Sequence, residues 1–501
     1  MLMKTASHTL TEQLVQRFAE RIASRLLSAG ARLPSVRECA RQHGVSPHTV
    51  VAAYDQLVAQ GWVEARKQRG FYVRDTLQER ARQTGSEARI FKPNQPQALI
   101  EPAQSAIKSV VNQGHEPRPR IDATALIRGM FYRPMAFARQ PFAQMLQPGM
   151  GVLPADWMQS DFLGPAVRKV SSGKSLLDAS LRYGEPLGEP MLREALSTKL
   201  RDYAVSAGAE QIITTIGATQ ALDIVSRTLL KAGDSVMVEE PGWAVEFARL
   251  DALGMRILPV PRTADGPDLA VMQRYCEEHS PKLYVSVSVL HNPTGASLSP
   301  ASAHKILQLA SQHDFHIVED DTYSHIAPAH ATRMSALDGL QRTIYVSGFA
   351  KILAPNWRIG FIASPAHLTE RLLDTKLLTS LTTPALLEKA LAHCIAEGHL
   401  RKHSERVKAR LDAARSRSAR LALQHGCTFA AEPAGLFGWV DTGTDTEHLA
   451  QRMLDIGILL APGSLFTANR APSQLMRINF AATQEAGFWK RFASVREEGK
   501  R

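Results

Sequence analysis

Two segments of this chain follow patterns that no single hydrophobic core can hold. Residues 33–73 read as short capped helices followed by a basic hairpin, whereas from about residue 205 β-rich runs alternate with helical stretches. At 501 residues the chain is long enough for two to four domains. The expected organisation is therefore a mainly α N-terminal domain at 8–75, a connector at 76–125 and an α/β domain at 126–501.

In the first domain, TLTEQLVQRFAERIASRLL places Leu10, Leu14, Phe18, Ile22 and Leu26 on one helical stripe. Ser35 and Glu38 form a capping-box pattern that predicts a helix from about Val36 to Gln42. Gly44 suits the turn that follows, and Ser46 with Pro47 starts a second helix whose buried face is Val50, Ala53, Tyr54, Leu57 and Val58. WVEAR and RGFYV then predict two strands joined by Lys67, Gln68, Arg69 and Gly70. Residues 1–90 carry 14 basic against 8 acidic side chains, a large part of the chain's formal charge of +11, which favours a polyanionic partner. The second helix is the one that could enter a major groove. The same pattern also fits a small helical interaction domain with a solvated basic loop.

The connector is rich in Pro, Gln and charge, with local helices expected at 76–83 and 99–112. Beyond it, QIITTIG, SVMVEE, RILPV, KLYVSVSV, FHIVED, TIYVSGFA and RIGFIA read as strands of a mainly parallel sheet, whose strand ends usually carry the site. Several polar residues fall at those ends. Lys351 could form a Schiff base with an aldehyde cofactor, and Arg358 could clamp a phosphate. Ala218 and Thr219 open a helix whose N–H groups suit an anion. Asp320 could pair with a protonated pyridine nitrogen, Asn292 and Tyr323 could reach a ring hydroxylate, and Trp243 offers an aromatic face.

No run reaches the roughly 18 apolar residues of a membrane span, and the N-terminus lacks a secretory signal. Cys39, Cys276, Cys394 and Cys427 are scattered, as expected of buried, reduced thiols in a cytoplasmic protein. Histidines such as His313, His316, His399 and His403 form no metal-binding pattern. The basic residues of 386–423 read as a solvated helix face.

LPSVRE, GVSPHTVVAAYDQLVAQGW and RGFYV together resemble the winged helix-turn-helix of GntR-type bacterial regulators. The resemblance implies that Arg37 contacts phosphate, that Ser46, His48 and Thr49 approach the groove, and that Arg66 and Arg69 serve the wing. Many relatives have Arg where this chain has Pro47, so its operator preference is expected to differ. The ordered set from GATQ to SGFAKILAPNWRIG is similar to fold-type I pyridoxal phosphate enzymes of the aspartate aminotransferase superfamily, with a small C-terminal α/β subdomain. That resemblance implies pyridoxal 5'-phosphate on Lys351, with Asp320 at the pyridine nitrogen and Asn292 and Tyr323 at the 3'-oxygen. It also implies Ala218, Thr219 and Arg358 at the phosphate, Tyr183 lent to a partner subunit's phosphate in a homodimer, and Arg477 on an amino-acid carboxylate. Gly348 and Ala350 stand where relatives commonly carry hydroxyl residues, which implies fewer contacts to the phosphate. The fused architecture resembles the MocR branch of GntR regulators. It implies a homodimeric transcription regulator that binds double-stranded operator DNA and senses an amino acid, an amine or the cofactor itself through Lys351. The alternative is a working aminotransferase with an accessory DNA-binding domain.

Overall fold

Ser35 and Ser46 each start a helix by accepting a backbone N–H three residues on, from Glu38 at 3.3 Å and from Thr49 at 3.1 Å. These helices belong to a computed structural model that describes residues 9–23, 27, 30–66, 70–74 and 146–498. The chain divides into two units, Met1–Ala136 and Phe137–Arg501. The expected connector helices at 76–83 and 99–112 lie outside the described residues, as do Leu26 and Arg69.

In the first unit the helices are α1 (Leu10–Ala23), α2 (Val36–His43) and α3 (Pro47–Ala59), followed by strands β1 (Val63–Arg66) and β2 (Gly70–Val73). Gly44 takes the left-handed conformation, φ +65°, that the tight exit from α2 requires. Leu14 and Phe18 from α1, Cys39 from α2, and Val50, Ala53, Tyr54 and Leu57 from α3 close one core. Tyr54 sits edge-on to Phe18 and donates its hydroxyl to the Pro34 carbonyl at 2.9 Å, which ties α3 to the turn before α2. β1 and β2 pair antiparallel, Val63 with Val73 and Arg66 with Gly70.

The second unit is built on an eight-stranded sheet of β3 (Ile212–Ile216), β4 (Ser235–Glu240), β5 (Arg256–Thr263), β6 (Gly266–Pro267), β7 (Leu283–Ser286), β8 (His316–Asp320), β9 (Thr343–Gly348) and β10 (Ile359–Ala363). Its order is β3-β10-β9-β8-β7-β4-β5-β6. The central run from β9 to β5 is parallel, and β10 lies antiparallel between β3 and β9. β9 is buried at every position, as expected of a strand covered on both faces. β7 is shorter than the run KLYVSVSV suggests. The Val287 N–H turns to the Glu239 carboxylate at 3.1 Å, which takes the backbone out of the ladder.

Two register facts position the site. Asp320 ends β8 opposite Val346 of β9, five residues before Lys351. Ile359 opens β10 opposite Ile216 at the end of β3, so Arg358 arrives beside the start of the helix Ala218–Leu229. A second sheet, β11 (Thr428–Phe429), β12 (Phe437–Asp441), β13 (Ala461–Pro462) and β14 (Leu475–Asn479), is antiparallel throughout in the order β11-β12-β14-β13. With the helices Thr446–Asp455 and Ala486–Glu498 it forms the small C-terminal subdomain. All four cysteines are buried free thiols. Among the described residues, no helix is long and apolar enough to cross a membrane.

Candidate functional site

Gly217, at φ +78°, makes the turn from β3 into the helix Ala218–Leu229, and that helix has no side-chain cap. Its first N–H groups are therefore left for an external acceptor. The Arg358 guanidinium lies against this turn: Nη2 donates to the Ile216 carbonyl at 3.3 Å, and a Cβ on Gly217 would stand 2.5 Å from the same nitrogen. Thr219 is exposed and Ala218 half-buried at the mouth of the cradle. Gly348 lies alongside, 3.5 Å from the Ala218 nitrogen as measured from an added Cβ. Ser347 does not contribute. Its hydroxyl donates to the Asp321 carbonyl at 2.8 Å and faces Ser324.

Lys351 is half-buried, with its Nζ donated to the Gly151 carbonyl at 2.7 Å. Burial, helped by Arg477 and Arg358 and opposed by Asp320, brings its ammonium down to about 8. Arg477 sits in the middle of β14, hydrogen-bonded on both sides to β12 and β13 rather than at an edge. Its Nη1 donates to Asn292 Oδ1 at 2.7 Å and its Nη2 to the Gly149 carbonyl at 2.6 Å, while its buried Nε has no partner. The guanidinium is packed over Phe437 and Phe466, 4.5 and 4.9 Å from the ring centroids. Burial pushes it down to about 10, so it stays charged at neutral pH. Tyr323 is buried edge-on to Phe437, and burial raises its phenol.

Asp320 accepts the Thr322 N–H at 3.0 Å and also the Thr322 hydroxyl. Burial is the main reason its carboxyl stands at about 6. Trp243 stands just before the helix Ala244–Ala252 and lines the same cavity as Asp320. Sequence reasoning missed the Gly149–Gly151 loop and the neighbours of Asp320 in that cavity, Glu239, Glu246 and His291. Glu239 accepts Tyr284 Oη at 2.9 Å, Ser286 Oγ at 3.0 Å and the Val287 N–H, and pairs with Arg262. An acidic residue in the apolar run SVMVEE is the one signal that could have found it. Tyr183 stands apart, 84% exposed, and none of these site contacts involves it.

In the first unit, Arg37, Ser46 and His48 are exposed and Thr49 half-buried at the start of α2 and α3. The Ser46 and Thr49 hydroxyls are 2.8 Å apart, so both are engaged in the cap. Arg66 is bound to Glu64 at 2.7 Å and lies 4.4 Å over the Tyr72 ring. Those contacts fix it on the hairpin.

The second-unit residues fit an aldehyde cofactor that carries a phosphate. An uncapped helix N-terminus with Arg358, a half-buried amine and a half-buried carboxylate that holds a proton more readily than usual supply the three required contacts. The proton on Asp320 has a testable consequence in the cofactor-free protein. Its pKa is raised on folding from about 3.9, so its stabilising contribution is full below pH about 4 and is lost as pH rises through about 6. Asp320→Asn is therefore expected to be near neutral for stability at pH 4. At pH 7.5 it should stabilise by on the order of 2 kcal/mol. Denaturant unfolding at both pH values checks this, and an equal effect at both would contradict it.

Comparison with known proteins agrees with this layout. Residues 159–488 match the family Aminotransferase class I and II, and residues 10–73 match Bacterial regulatory proteins, gntR family. The chain is 24% identical to the HTH-type transcriptional regulator YisV of Bacillus subtilis (strain 168), over 94% of this chain and 93% of that protein. It is 30% identical to the "Probable rhizopine catabolism regulatory protein MocR" of Rhizobium meliloti, over 81% of this chain and 76% of that one. In fold it is similar to Pyrococcus horikoshii kynurenine aminotransferase, solved in complex with PMP, with a TM-score of 0.66 and 23% identity over 74% of this chain and 98% of that one.

Proposed function

The chain belongs to the MocR-type regulators, a GntR-family domain joined to an aminotransferase class I and II domain, and from that membership we propose that its large unit holds pyridoxal phosphate on Lys351 and reads an amino acid for the DNA-binding unit. One observation carries this reading. The Lys351 amine and the Arg477 guanidinium reach the same loop, at the carbonyls of Gly151 and Gly149. A carboxylate matches the Arg477 guanidinium, and an amino group on the same ligand would take the place of the Lys351 amine at the cofactor aldehyde, which favours an amino acid over a simple amine.

When bound, the cofactor would supply the aldehyde and an electron-withdrawing ring. Ala218, Thr219 and Arg358 would bind its phosphate, Asp320 would hold the proton at the ring nitrogen, and Asn292 and Tyr323 would orient the ring hydroxylate. Trp243 would cover the ring face. Lys351 would take up or release a proton at Nζ near neutral pH. Arg477 would exchange its bonds to Asn292 and Gly149 for the ligand carboxylate, which is the change that distinguishes an occupied from an empty site. Arg37, Ser46, His48, Thr49 and Arg69 would serve the operator, with Arg66 bracing the wing.

A second copy of the chain is part of the proposal. Leu177, Leu181, Tyr183 and Leu378 are exposed large side chains, and Gly184 packs against Thr382 and Thr383, so the two exposed groups adjoin. A partner covering them would receive Tyr183. A DNA-binding regulator of this kind works in the cytoplasm.

The test is operator binding by the full-length protein loaded with pyridoxal phosphate, with and without a panel of amino acids, on a preparation sized by sedimentation. Operator binding by a dimer, changed at least several-fold by one or more amino acids, is expected. Sustained turnover with an oxo-acid acceptor and no operator binding would instead favour an enzyme with an accessory domain. A monomer that retains full cofactor and operator affinity would remove the partner and the role of Tyr183.

A further inference from the structure

Asp320 opens onto a cavity of about 20 Å³ that it shares with two other carboxylates, Glu239 and Glu246. Glu239 is spoken for by Tyr284, Ser286, the Val287 N–H and Arg262, with His291 Nε2 3.3 Å from its second oxygen. Glu246 is different. It lies three residues after Trp243 on the helix Ala244–Ala252, is 2% exposed, and is bound by Arg249 of the same helix at 2.5 and 3.2 Å. Arg249 is itself shared, since its Nη1 stands 3.9 Å from Asp223. A carboxylate at that point of an amphipathic helix would ordinarily face water. Here the helix turns it inward, beside the acid that ends β8.

We propose that Glu246 is a positioning residue: its buried charge beside Asp320 favours a proton held at Asp320 and, once the cofactor is bound, at the ring nitrogen that Asp320 faces. The second half rests on the reading of Asp320 given above, and the first half does not. Two carboxylates in one small cavity cannot both stay ionised at low cost. Asp320 faces Glu246 from the helix, Glu239 and His291 from the strand side, and Lys351 and Tyr323 from the loops that follow β9 and β8, while Arg249 and Arg262 are bound to the two glutamates. Burial raises Asp320 most, the Thr322 hydrogen bonds and Lys351 pull it down, and Glu246 pushes it up. His291 is held neutral by burial and by Arg262, so it offers Asp320 no cation. A Glu246 that merely anchored its helix through Arg249 would leave the proton affinity of Asp320 unchanged.

The experiment follows the Asp320 carboxyl by carbon-13 NMR in full-length, cofactor-free protein labelled at Asp carboxyls, with Asp320→Asn used for assignment. The wild-type midpoint is expected near 6. Glu246→Gln should lower it by about one pH unit, and Glu246→Asp should restore most of the difference. Arg249→Gln leaves the Glu246 charge less compensated and should move the midpoint upward, so a poorly folded Glu246→Gln does not rescue the proposal. An unmoved midpoint in a folded Glu246→Gln, or in Arg249→Gln, overturns it. With pyridoxal phosphate added, the pH dependence of the visible absorbance should shift down in Glu246→Gln. Failure of the cofactor to bind wild-type protein would count against the cofactor reading and leave the NMR result to decide the role of Glu246.

Discussion

Lys351→Ala is expected to abolish covalent attachment of pyridoxal phosphate, leaving no cofactor mass on the protein after borohydride reduction. The physical reason is the state of the amine. At an ordinary lysine about one part in a thousand is unprotonated at pH 7.5, whereas at about 8 roughly a quarter of Lys351 is in the nucleophilic form. The chain contains its own control. Lys376 is also brought down to about 8 by burial, but its Nζ is donated to the Pro186 carbonyl at 2.6 Å, and the charged groups that act on it are Glu388 and Arg193 rather than Arg358 and Asp320. If mass spectrometry of the reduced Lys351→Ala protein finds the cofactor retained, on Lys376 or elsewhere, the assignment of the site is wrong.

Arg333→Met is expected to cost the large unit about 3–5 kcal/mol of stability at neutral pH, the usual consequence of stranding one member of a buried ion pair. Arg333 Nε donates to Asp321 Oδ2 at 2.6 Å, and both side chains are fully buried. Tyr345 donates its hydroxyl to the same oxygen at 2.9 Å, and the guanidinium lies 4.3 Å over the Tyr203 ring. Burial outweighs the attraction of Arg333 and holds Asp321 at about 6. Without Arg333 that carboxyl should take up a proton still more readily, so the loss should shrink as the pH is lowered toward 5. Urea unfolding of wild type and variant at pH 5 and 7.5 measures both parts. A loss below 1 kcal/mol at pH 7.5, or one that grows on acidification, would contradict this account of the pair.

These two acids also show what was legible in the sequence. EDDTY marks a strand end with three consecutive acidic or acid-flanked positions, and strand alternation sends neighbours to opposite faces. Asp320 reaches the Trp243 cavity, while Asp321 goes to Arg333 and Glu319 caps Met334 and Ser335 with its carboxylate. The signals that survived from sequence to structure are local: Ser-capped helices, a glycine turn between a strand and a helix, a lysine just beyond a strand. The Gly149–Gly151 loop gave no such signal, because its meaning comes from Lys351 and Arg477, 200 and 328 residues away. Glu246 was invisible for a related reason. A charged residue in a helical pattern reads as solvent-facing, and only the packing of that helix against β5, beside the cavity that Asp320 also lines, makes it a buried acid. Arg66 shows the converse: its sequence position marks the wing, but Glu64 and Tyr72 already occupy its guanidinium.

The central claim is that occupancy of the Lys351–Arg477 pocket controls the DNA-binding unit. Its most direct test is the equilibrium affinity for operator DNA at fixed salt, measured for loaded wild-type protein and for Lys351→Ala, each titrated with the amino acid that changes wild-type binding most. Ligand-dependent affinity in the wild type and none in the variant is the expected result. An equal response of the two proteins would contradict it.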